Sequence, residues 1–383
     1  MLFIGYLFMG YFKEEEWPYT ITSVEESDVW ADQSDLKKKV NAIIDSTKYN
    51  KKQLVLAWGY FGAGKTHKLH QLQKIIVKKN IGTCILGNLV DSPKNFGVLI
   101  KQLFFSLVWE QFQAKFVENF CDRTKSEDEI REKIKKVTKQ DRDLTQAFLK
   151  LRNSLSTVGY EHNDITQIYQ WMRGEPLNKF TREWFGRRLK EDRDFVNLAE
   201  SMNRTLLLKG KDGTSKPVFW IVDDCQFLNA MPDKKLKMIQ KGFKDIFDMA
   251  PNKFVLILSY AVGTSDEIQL LEDLRSRISS HLEVHPLTPQ TALTYIKELN
   301  SHPKYAKNPN QTNKFYPLNE KSARTLVDLL DKAPGIRLLP RVVSLALDPI
   351  VQAAEEENLK TPIPSDYVSK KFKQIKVILT HDD

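Results

Sequence analysis

A glycine-rich motif at residues 59–66 carries the strongest chemical signal in this sequence. It reads GYFGAGKT and fits the pattern G-x-x-x-x-G-K-[ST] at every fixed position. Gly59, Gly62 and Gly64 let the backbone approach phosphate oxygens closely, and amides at the start of the next helix point towards those oxygens. In such a loop, Lys65 reaches the β- and γ-phosphates and the Thr66 hydroxyl ligates Mg²⁺. The motif predicts a nucleoside triphosphate site, with ATP and Mg²⁺ as cofactors.

The residues around the motif support the same interpretation. Residues 53–58 (QLVLAW) predict a buried strand and residues 65–79 predict a helix, which is the strand–loop–helix context that a phosphate-binding loop requires. We also assign Ala63, inside the motif, and His67, directly after it, to nucleotide binding. The alternative is a coincidental glycine turn between two ordinary elements.

Two further apolar runs lead into polar residues suited to the same chemistry. Residues 218–222 (VFWIV) are followed by Asp223 and Asp224. Asp223 would hold Mg²⁺ and Asp224 would orient the attacking water. Ser259, at the end of residues 254–259 (FVLILS), would sense the γ-phosphate. The alternatives are an acidic strand end that caps the next helix and an ordinary serine in a turn.

Composition narrows the class of protein. The 383 residues include 58 Lys and Arg against 49 Asp and Glu, a net charge of +9 that is compatible with a polyanionic partner without establishing one. A hydrophobic content of 41% excludes wholesale disorder, and no uninterrupted apolar run approaches about 18–20 residues, so no membrane-spanning helix is predicted. Three widely spaced cysteines favour a reducing cytoplasm over disulfides or zinc. Residues 1–12 predict a buried segment or a mis-assigned start rather than a secretory signal.

The order of elements predicts an α/β fold. Four short apolar stretches, at residues 53–58, 83–90, 218–222 and 254–259, predict strands that alternate with helices. This order is typical of a parallel sheet covered by helices on both faces. The predicted divisions are an N-terminal segment (1–33), a P-loop NTPase core (34–286) with a helical insertion (about 95–210), and a helical lid with a basic tail (287–383).

With these motifs in order, the chain resembles the AAA+ ATPases, in particular the prokaryotic relatives of the origin-recognition and initiator proteins. The resemblance covers roughly residues 34–120 and 216–370. Residues 59–66 match the Walker A motif of that family and residues 218–224 its Walker B motif, while Ser259 occupies the place of sensor 1.

Two arginines acquire roles from this resemblance. Residues 274–278 (LRSRI) resemble the family's arginine-finger box, and residues 333–337 (APGIR) fall where sensor 2 lies, at the head of a predicted helix. The resemblance implies a homo-oligomer in which Arg277 reaches a neighbour's γ-phosphate. It also implies that Arg337 reads the subunit's own phosphates, a role for which Arg341 competes. The residues with implied catalytic roles are Lys65, Asp224, Arg277 and Arg337.

The sequence departs from the family pattern in three respects. Asp224 stands where the family usually has glutamate, which puts the orientation of water in doubt. The long interval between Lys65 and Asp223 implies an extra helical layer or a module that binds a substrate or a partner protein. Within it, residues 169–175 (YQWMRGE), like the phrase GAGKTH, are similar to ATP-binding proteins of BREX-type phage defence. Finally, too little sequence follows the lid for the winged-helix domain of initiator relatives.

Nucleic acid is a candidate partner through two segments. Residues 169–190 interleave aromatic and basic side chains, as single-strand binding sites do, and residues 360–376 contain five lysines and one acid. The alternative for both segments is a packed helix with a solvated basic face.

Three functions remain open at this stage. The first is a cytoplasmic AAA+ ATPase that hydrolyses ATP to drive assembly or remodelling on nucleic acid, in defence, transposition or replication. The second is a nucleotide-dependent switch that scarcely hydrolyses ATP and recruits a protein partner through the insertion. The third and weakest is a small-molecule phosphotransferase.

Overall fold

The structure, a computed structural model, describes most of the chain from residue 34 onwards. The described residues are 11–12, 18–19, 34–89, 93–101, 103, 106–122, 124–156, 162–176, 185, 188–210, 212–308 and 310–379. Element labels below number the described helices and strands in chain order.

Five strands form one sheet in the order β2-β3-β4-β1-β5. Their bounds are β1 (Gln53–Gly59), β2 (Thr83–Asn88), β3 (Val218–Asp223), β4 (Phe254–Ala261) and β5 (Ile278–Val284). Strand β3 pairs in parallel with both β2 and β4, so the carboxyl ends of these three strands lie at one edge. Strands β1 and β3 are buried along their whole length, as expected for strands covered on both faces.

The sequence did not predict β5. This strand reads ISSHLEV, and its polar residues break the apolar run that identified the other four. It lies at the edge of the sheet, where only Leu282 and Val284 are buried and His281 is exposed. The alternation of apolar and polar residues from Ile278 to Val284 is the signal that identifies an edge strand of this kind.

Helices account for most of the remaining described chain. They are α1 (Ser34–Lys48), α2 (Lys65–Lys78), α3 (Phe96–Ile100), α4 (Ser106–Phe120), α5 (Glu127–Val137), α6 (Arg142–Ser156), α7 (His162–Met172), α8 (Asp192–Leu206), α9 (Gln226–Asn229), α10 (Asp233–Met249), α11 (Glu272–Arg275), α12 (Pro289–Asn300), α13 (Glu320–Asp331), α14 (Pro340–Glu356) and α15 (Ser365–Leu379). A parallel sheet flanked by helices confirms the predicted fold class. No helix of the described part is long and apolar enough to cross a membrane.

The described residues divide into two compact units. The lid unit consists of the described residues within 1–38, 59–71 and 283–383, and the sheet unit of those within 39–58 and 72–282.

In the sheet unit, the predicted helical region shares one hydrophobic core with the sheet. Phe112, Phe116 and Phe148 pack on one another with ring centroids 5.5–5.6 Å apart. From the sheet, the indole nitrogen of Trp220 in β3 donates a hydrogen bond of 2.9 Å to Asn203 in α8. This region is therefore packed as an extra helical layer on the sheet.

Of the aromatic residues that the structure describes in segment 169–190, Trp171 and Phe185 belong to that core. Trp171 and Phe185 are buried and stack on each other with centroids 4.8 Å apart, so neither ring face is open to a base. The exposed Arg173 covers the ring of Tyr169. The alternative of a packed helix therefore fits Trp171 and Phe185. Several other residues of this prediction lie outside the described part: Lys179, Phe180, Arg182, Trp184 and Arg187.

In the lid unit, residues from near the start of the sequence join the helical core. Tyr11, Phe12 and Tyr19 are buried, and the first two belong to the segment 1–12 for which burial was predicted. The Tyr11 hydroxyl donates a 2.8 Å hydrogen bond to the carbonyl of Leu359, and the Tyr19 hydroxyl donates one of 3.0 Å to Asn300. Residues 1–10 and 20–33 lie outside the described part of the chain.

The lid helices differ from prediction at one functional point. The helix expected over residues 337–357 begins at Pro340, so Arg337 precedes it in a segment without regular secondary structure. Proline favours the first helical position and disfavours helical conformation in the residue before it, which fixes the start of α14. The predicted basic tail contributes α15, whose Val368 and Phe372 are buried while Lys370 and Lys373 are exposed.

Candidate nucleotide site

The phosphate loop, residues 59–66, connects β1 to α2 in the predicted way. Gly62 (φ +78°) and Gly64 (φ +89°) adopt left-handed backbone conformations that side chains disfavour. Gly59 is required for a different reason: a Cβ atom there would lie 2.4 Å from the carbonyl oxygen of Val284. The motif's glycines therefore give the loop both its curvature and its close packing.

The polar residues that follow occupy the start of α2. Lys65 is largely buried, and its ammonium donates a hydrogen bond of 3.0 Å to the carbonyl of Tyr60, across the loop. Thr66 is half-buried, whereas Ala63 and His67 are buried. An amino group folded over a glycine loop at a helix N-terminus fits the charge and the geometry of a polyphosphate.

Two lid arginines contact the same loop. The guanidinium carbon of Arg337 lies 4.2 Å from the ring centroid of Tyr60, and that of Arg341 lies 4.9 Å from the ring centroid of Phe61. The Arg341 amide also donates a 3.4 Å hydrogen bond to the Gly62 carbonyl. Both candidates for sensor 2 are thus beside the phosphate loop, although only Arg341 is helical.

In the sheet unit, Asp223 and Asp224 stand at the end of β3. Asp223 is the last residue of the strand and is buried. Asp224 adopts φ +59°, a left-handed conformation that aspartate tolerates better than most residues and that often marks functional sites. Its carboxylate accepts a 3.0 Å hydrogen bond from Gln226, whose side-chain oxygen accepts one from the amide of Ala261. Gln226 therefore links the end of β3 to the end of β4.

Ser259 lies inside β4 rather than at its end, because the strand continues to Ala261. The residue is fully buried, and its hydroxyl has no hydrogen-bond partner within the described part of the chain. A buried hydroxyl without a partner costs free energy unless a ligand or water satisfies it. Ser259 therefore fits a place beside a polar ligand.

Arg277 is engaged within its own chain. Its guanidinium donates two hydrogen bonds to the carboxylate of Asp248, one of them 2.9 Å long. Burial alone would raise the pKa of Asp248, but hydrogen bonds from Arg277 and Lys244 hold that pKa below its ordinary value. Arg277 would have to leave this ion pair to reach a neighbouring subunit.

Among solved structures, the chain is similar to the ORC2 protein of Aeropyrum pernix in its ADPNP–ADP complexes. The TM-score is 0.56 at 10% identity, over 95% of this chain and 72% of that one. It is also similar to the Aeropyrum pernix ORC1 protein in complex with DNA, with a TM-score of 0.51 at 12% identity, over 96% and 70% of the two chains. The chain therefore shares the fold of these two proteins. No family model and no curated protein sequence matches it. At these identities, the likeness concerns the fold alone.

Each of the two units carries its own set of predicted residues. The lid unit brings Lys65, Thr66, Arg337 and Arg341 together at the loop, and the sheet unit carries Asp223, Asp224 and Ser259 on neighbouring strands. Hydroxyl and carboxylate oxygens, such as those of Thr66 in the one unit and Asp223 in the other, are ligand types that Mg²⁺ prefers. The described residues include no group of three or more His, Cys, Asp or Glu side chains that could hold a metal ion.

Sequence reasoning missed three side chains that contact the predicted site residues. Tyr60 and Phe61 contact the lid arginines, and Gln226 binds Asp224. The signals were available in part, since two aromatic residues inside a glycine loop are unusual and Gln226 closely follows the strand's acidic end. Nothing local indicated which partners they would meet.

Proposed function

We propose that this protein is an AAA+ ATPase that binds ATP with Mg²⁺ at the phosphate loop. The observation that carries the proposal is the lid unit's cluster of three cations on one glycine loop: Lys65 across it, Arg337 over Tyr60 and Arg341 over Phe61. Such a cluster serves no evident purpose in packing, since Arg337 is exposed and Arg341 half-exposed. It matches the charge of a triphosphate.

The proposed chemistry is in-line attack of water on the γ-phosphorus. Lys65 and Arg337 would stabilise the negative charge of the transition state, and Asp224 would orient the water. Thr66 and Asp223 are the proposed metal ligands. Mg²⁺, when bound, neutralises charge on the phosphate oxygens. Gly59, Gly62, Ala63, Gly64, His67 and Ser259 are the remaining residues proposed for nucleotide binding.

Nucleotide titrations with and without metal test the binding step. We expect ATP to bind about tenfold more weakly in EDTA than in Mg²⁺, because the metal shields phosphate charge at the site. The ATP affinity should exceed the AMP affinity in both conditions, since the proposed cations contact the outer phosphates. Calorimetry on the full chain measures both. Equal affinity for ATP and AMP would contradict the proposed phosphate site.

The biological role is proposed at a coarser level. The proposed role is assembly or remodelling on nucleic acid by a homo-oligomer in the cytoplasm. The net charge of +9 supports the nucleic-acid partner. The exposed lysines of α15 and Arg173 remain candidates for phosphate-backbone contacts, and the helical layer for a protein partner. Defence, transposition and replication are all compatible with this reading.

A second function, a switch that scarcely hydrolyses ATP, is favoured by two contacts. The shorter acid Asp224 is held by Gln226, and Arg277 is held by Asp248. For these side chains to take part in hydrolysis, Arg277 would have to leave its ion pair and Asp224 would have to act while bound to Gln226.

Releasing Arg277 distinguishes the two functions. If Arg277 serves a neighbouring subunit, Asp248→Asn should raise turnover by about two- to tenfold, because removing the carboxylate charge weakens the ion pair that competes for the arginine. Arg277→Ala should lower turnover in the same assay. Turnover is measured against protein concentration, alongside particle size in ADP and in a non-hydrolysable ATP analogue. Unchanged turnover in both variants, together with ATP-driven assembly, would favour the switch.

A further inference from the structure

The two aromatic residues of the phosphate loop each lie against one lid arginine. Tyr60 faces Arg337 and Phe61 faces Arg341, at 4.2 and 4.9 Å between guanidinium carbon and ring centroid. Both distances are within the range of cation–π attraction. The two rings are consecutive on the loop, and the two arginines are four positions apart in the lid sequence.

The exposure of Phe61 calls for an explanation. Its residue surface is 63% exposed, so the ring contributes little to the hydrophobic core. A large apolar side chain at the surface of a monomer is unremarkable when isolated, but this one lies inside a functional motif and carries an arginine on it. The interaction that the structure shows for this exposed ring is its contact with Arg341.

The hydrogen-bonding capacity of the two arginines remains unused. Neither guanidinium forms a hydrogen bond or an ion pair with any residue that the structure describes. Stacking occupies the flat face of a guanidinium, whereas its five N–H donors lie in the plane. An arginine stacked on a ring can therefore still bind phosphate oxygens with two donors at once.

Tyr60 also acts on the third cation of the loop, since its backbone carbonyl accepts the hydrogen bond from Lys65. Residues 60 and 61 together thus contact all three cations of the site. Long basic side chains lose conformational freedom when they bind, and holding them in place beforehand reduces that cost.

We propose that Tyr60 and Phe61 are positioning residues that hold Arg337 and Arg341 beside the phosphate loop before nucleotide binds. The incoming polyphosphate then meets guanidinium groups that are already arranged. This inference rests on the proposed function, because it assumes that the loop binds a nucleoside triphosphate.

The Phe61 pair gives the cleaner test, because an exposed ring can be replaced without opening the core. The dissociation constant of ADPNP with Mg²⁺ is measured for the wild type, Phe61→Leu, Arg341→Met and the double variant. We expect Phe61→Leu to weaken binding by about two- to fivefold, the range of an exposed cation–π contact. In the Arg341→Met background, Phe61→Leu should have no further effect, since the arginine that it positions is gone.

The Tyr60 pair is tested in the same way with one additional variant. Tyr60→Phe keeps the ring and should keep wild-type affinity, whereas Tyr60→Leu should weaken binding by about two- to fivefold, and only while Arg337 is present. Tyr49→Leu is the matched control, because Tyr49 is 75% exposed and lies outside the loop. Melting temperatures confirm that each variant is folded.

The outcomes separate the inference from the function on which it rests. Absence of ADPNP binding by the wild type would overturn both. Binding by the wild type with equal losses for Phe61→Leu in the presence and absence of Arg341 would overturn the positioning role alone. Wild-type affinity for ADPNP in both Phe61→Leu and Tyr60→Leu would also overturn the positioning role alone. The inference is supported if Phe61→Leu has no effect on ADPNP affinity in the Arg341→Met background, Tyr60→Leu has none in the Arg337→Met background, and Tyr60→Phe keeps full affinity.

Discussion

Lys65→Ala is expected to lower ATP turnover by about a hundredfold or more, the largest effect of any single substitution that we anticipate. The ammonium is the one positive charge that the motif places within the loop itself. Removing a charged donor that stabilises a transition state typically costs about a hundred- to a thousandfold in rate. Steady-state phosphate release by the wild type and the variant measures the loss.

Two further variants make this result specific to the charge. Lys65→Met keeps the aliphatic part of a largely buried side chain and should lose as much turnover as Lys65→Ala. Lys79→Ala removes an exposed lysine just beyond the end of α2 and should leave turnover unchanged. Equal turnover by the wild type and Lys65→Ala would exclude this loop as the site of hydrolysis.

Lys68→Met is expected to stabilise the protein at neutral pH by a few kcal/mol. Lys68 lies one turn into α2 and is 7% exposed. Burial lowers its pKa to about 7, although the carboxylate of Glu298 in α12 acts in the opposite direction. Each unit of pKa shift corresponds to about 1.4 kcal/mol, so the folded state bears a considerable cost for this group when it is charged.

The sign of the pH dependence follows from this shift. Between about pH 7 and the ordinary lysine pKa of about 10.4, the unfolded chain holds a proton on Lys68 that the folded chain does not. The contribution of Lys68 to the free energy of unfolding therefore rises with pH across this window. The increase in the free energy of unfolding that Lys68→Met causes should be largest at or below pH 7 and should shrink towards pH 10.

Denaturant unfolding at several pH values between 6 and 10 tests this account. Lys79→Met is the matched control, because the same substitution at an exposed lysine should change stability little at any pH. If the difference between Lys68→Met and the wild type did not vary with pH, burial of the charged group would not be its cause.

The sequence predicted well those parts of the molecule that depend on the pattern of residues close together in the chain. Fully apolar runs identified four of the five strands, and the spacing of glycines identified the loop between β1 and α2. Strand β5 was not predicted because an edge strand needs to bury only one face, so polar residues interrupt its apolar pattern. The start of α14 was misplaced by three residues because the pattern included Arg337 and overlooked the influence of Pro340.

The parts that could not be predicted depend on contacts between distant segments. Nothing in the sequence near Tyr60 indicates an arginine located in the lid, and nothing near Arg277 indicates that Asp248 will bind it. Ser259 is a similar case, since only the sheet shows that its hydroxyl is buried without a partner in the described chain. Motifs therefore identified the candidate site residues, whereas contacts between distant segments determine how each side chain is held.

The packing of the phosphate loop within the lid unit has a thermodynamic consequence. Pro340 and Arg341 at the start of α14 lie against Gly64 and Gly62, and the loop and the lid helices belong to one compact unit. A ligand that binds only the folded loop adds its binding free energy to the stability of that unit, about 2.7 kcal/mol at a hundred times the dissociation constant. Lid helices that never touch the nucleotide would then open less often, and their amide hydrogens would report on occupancy of the loop.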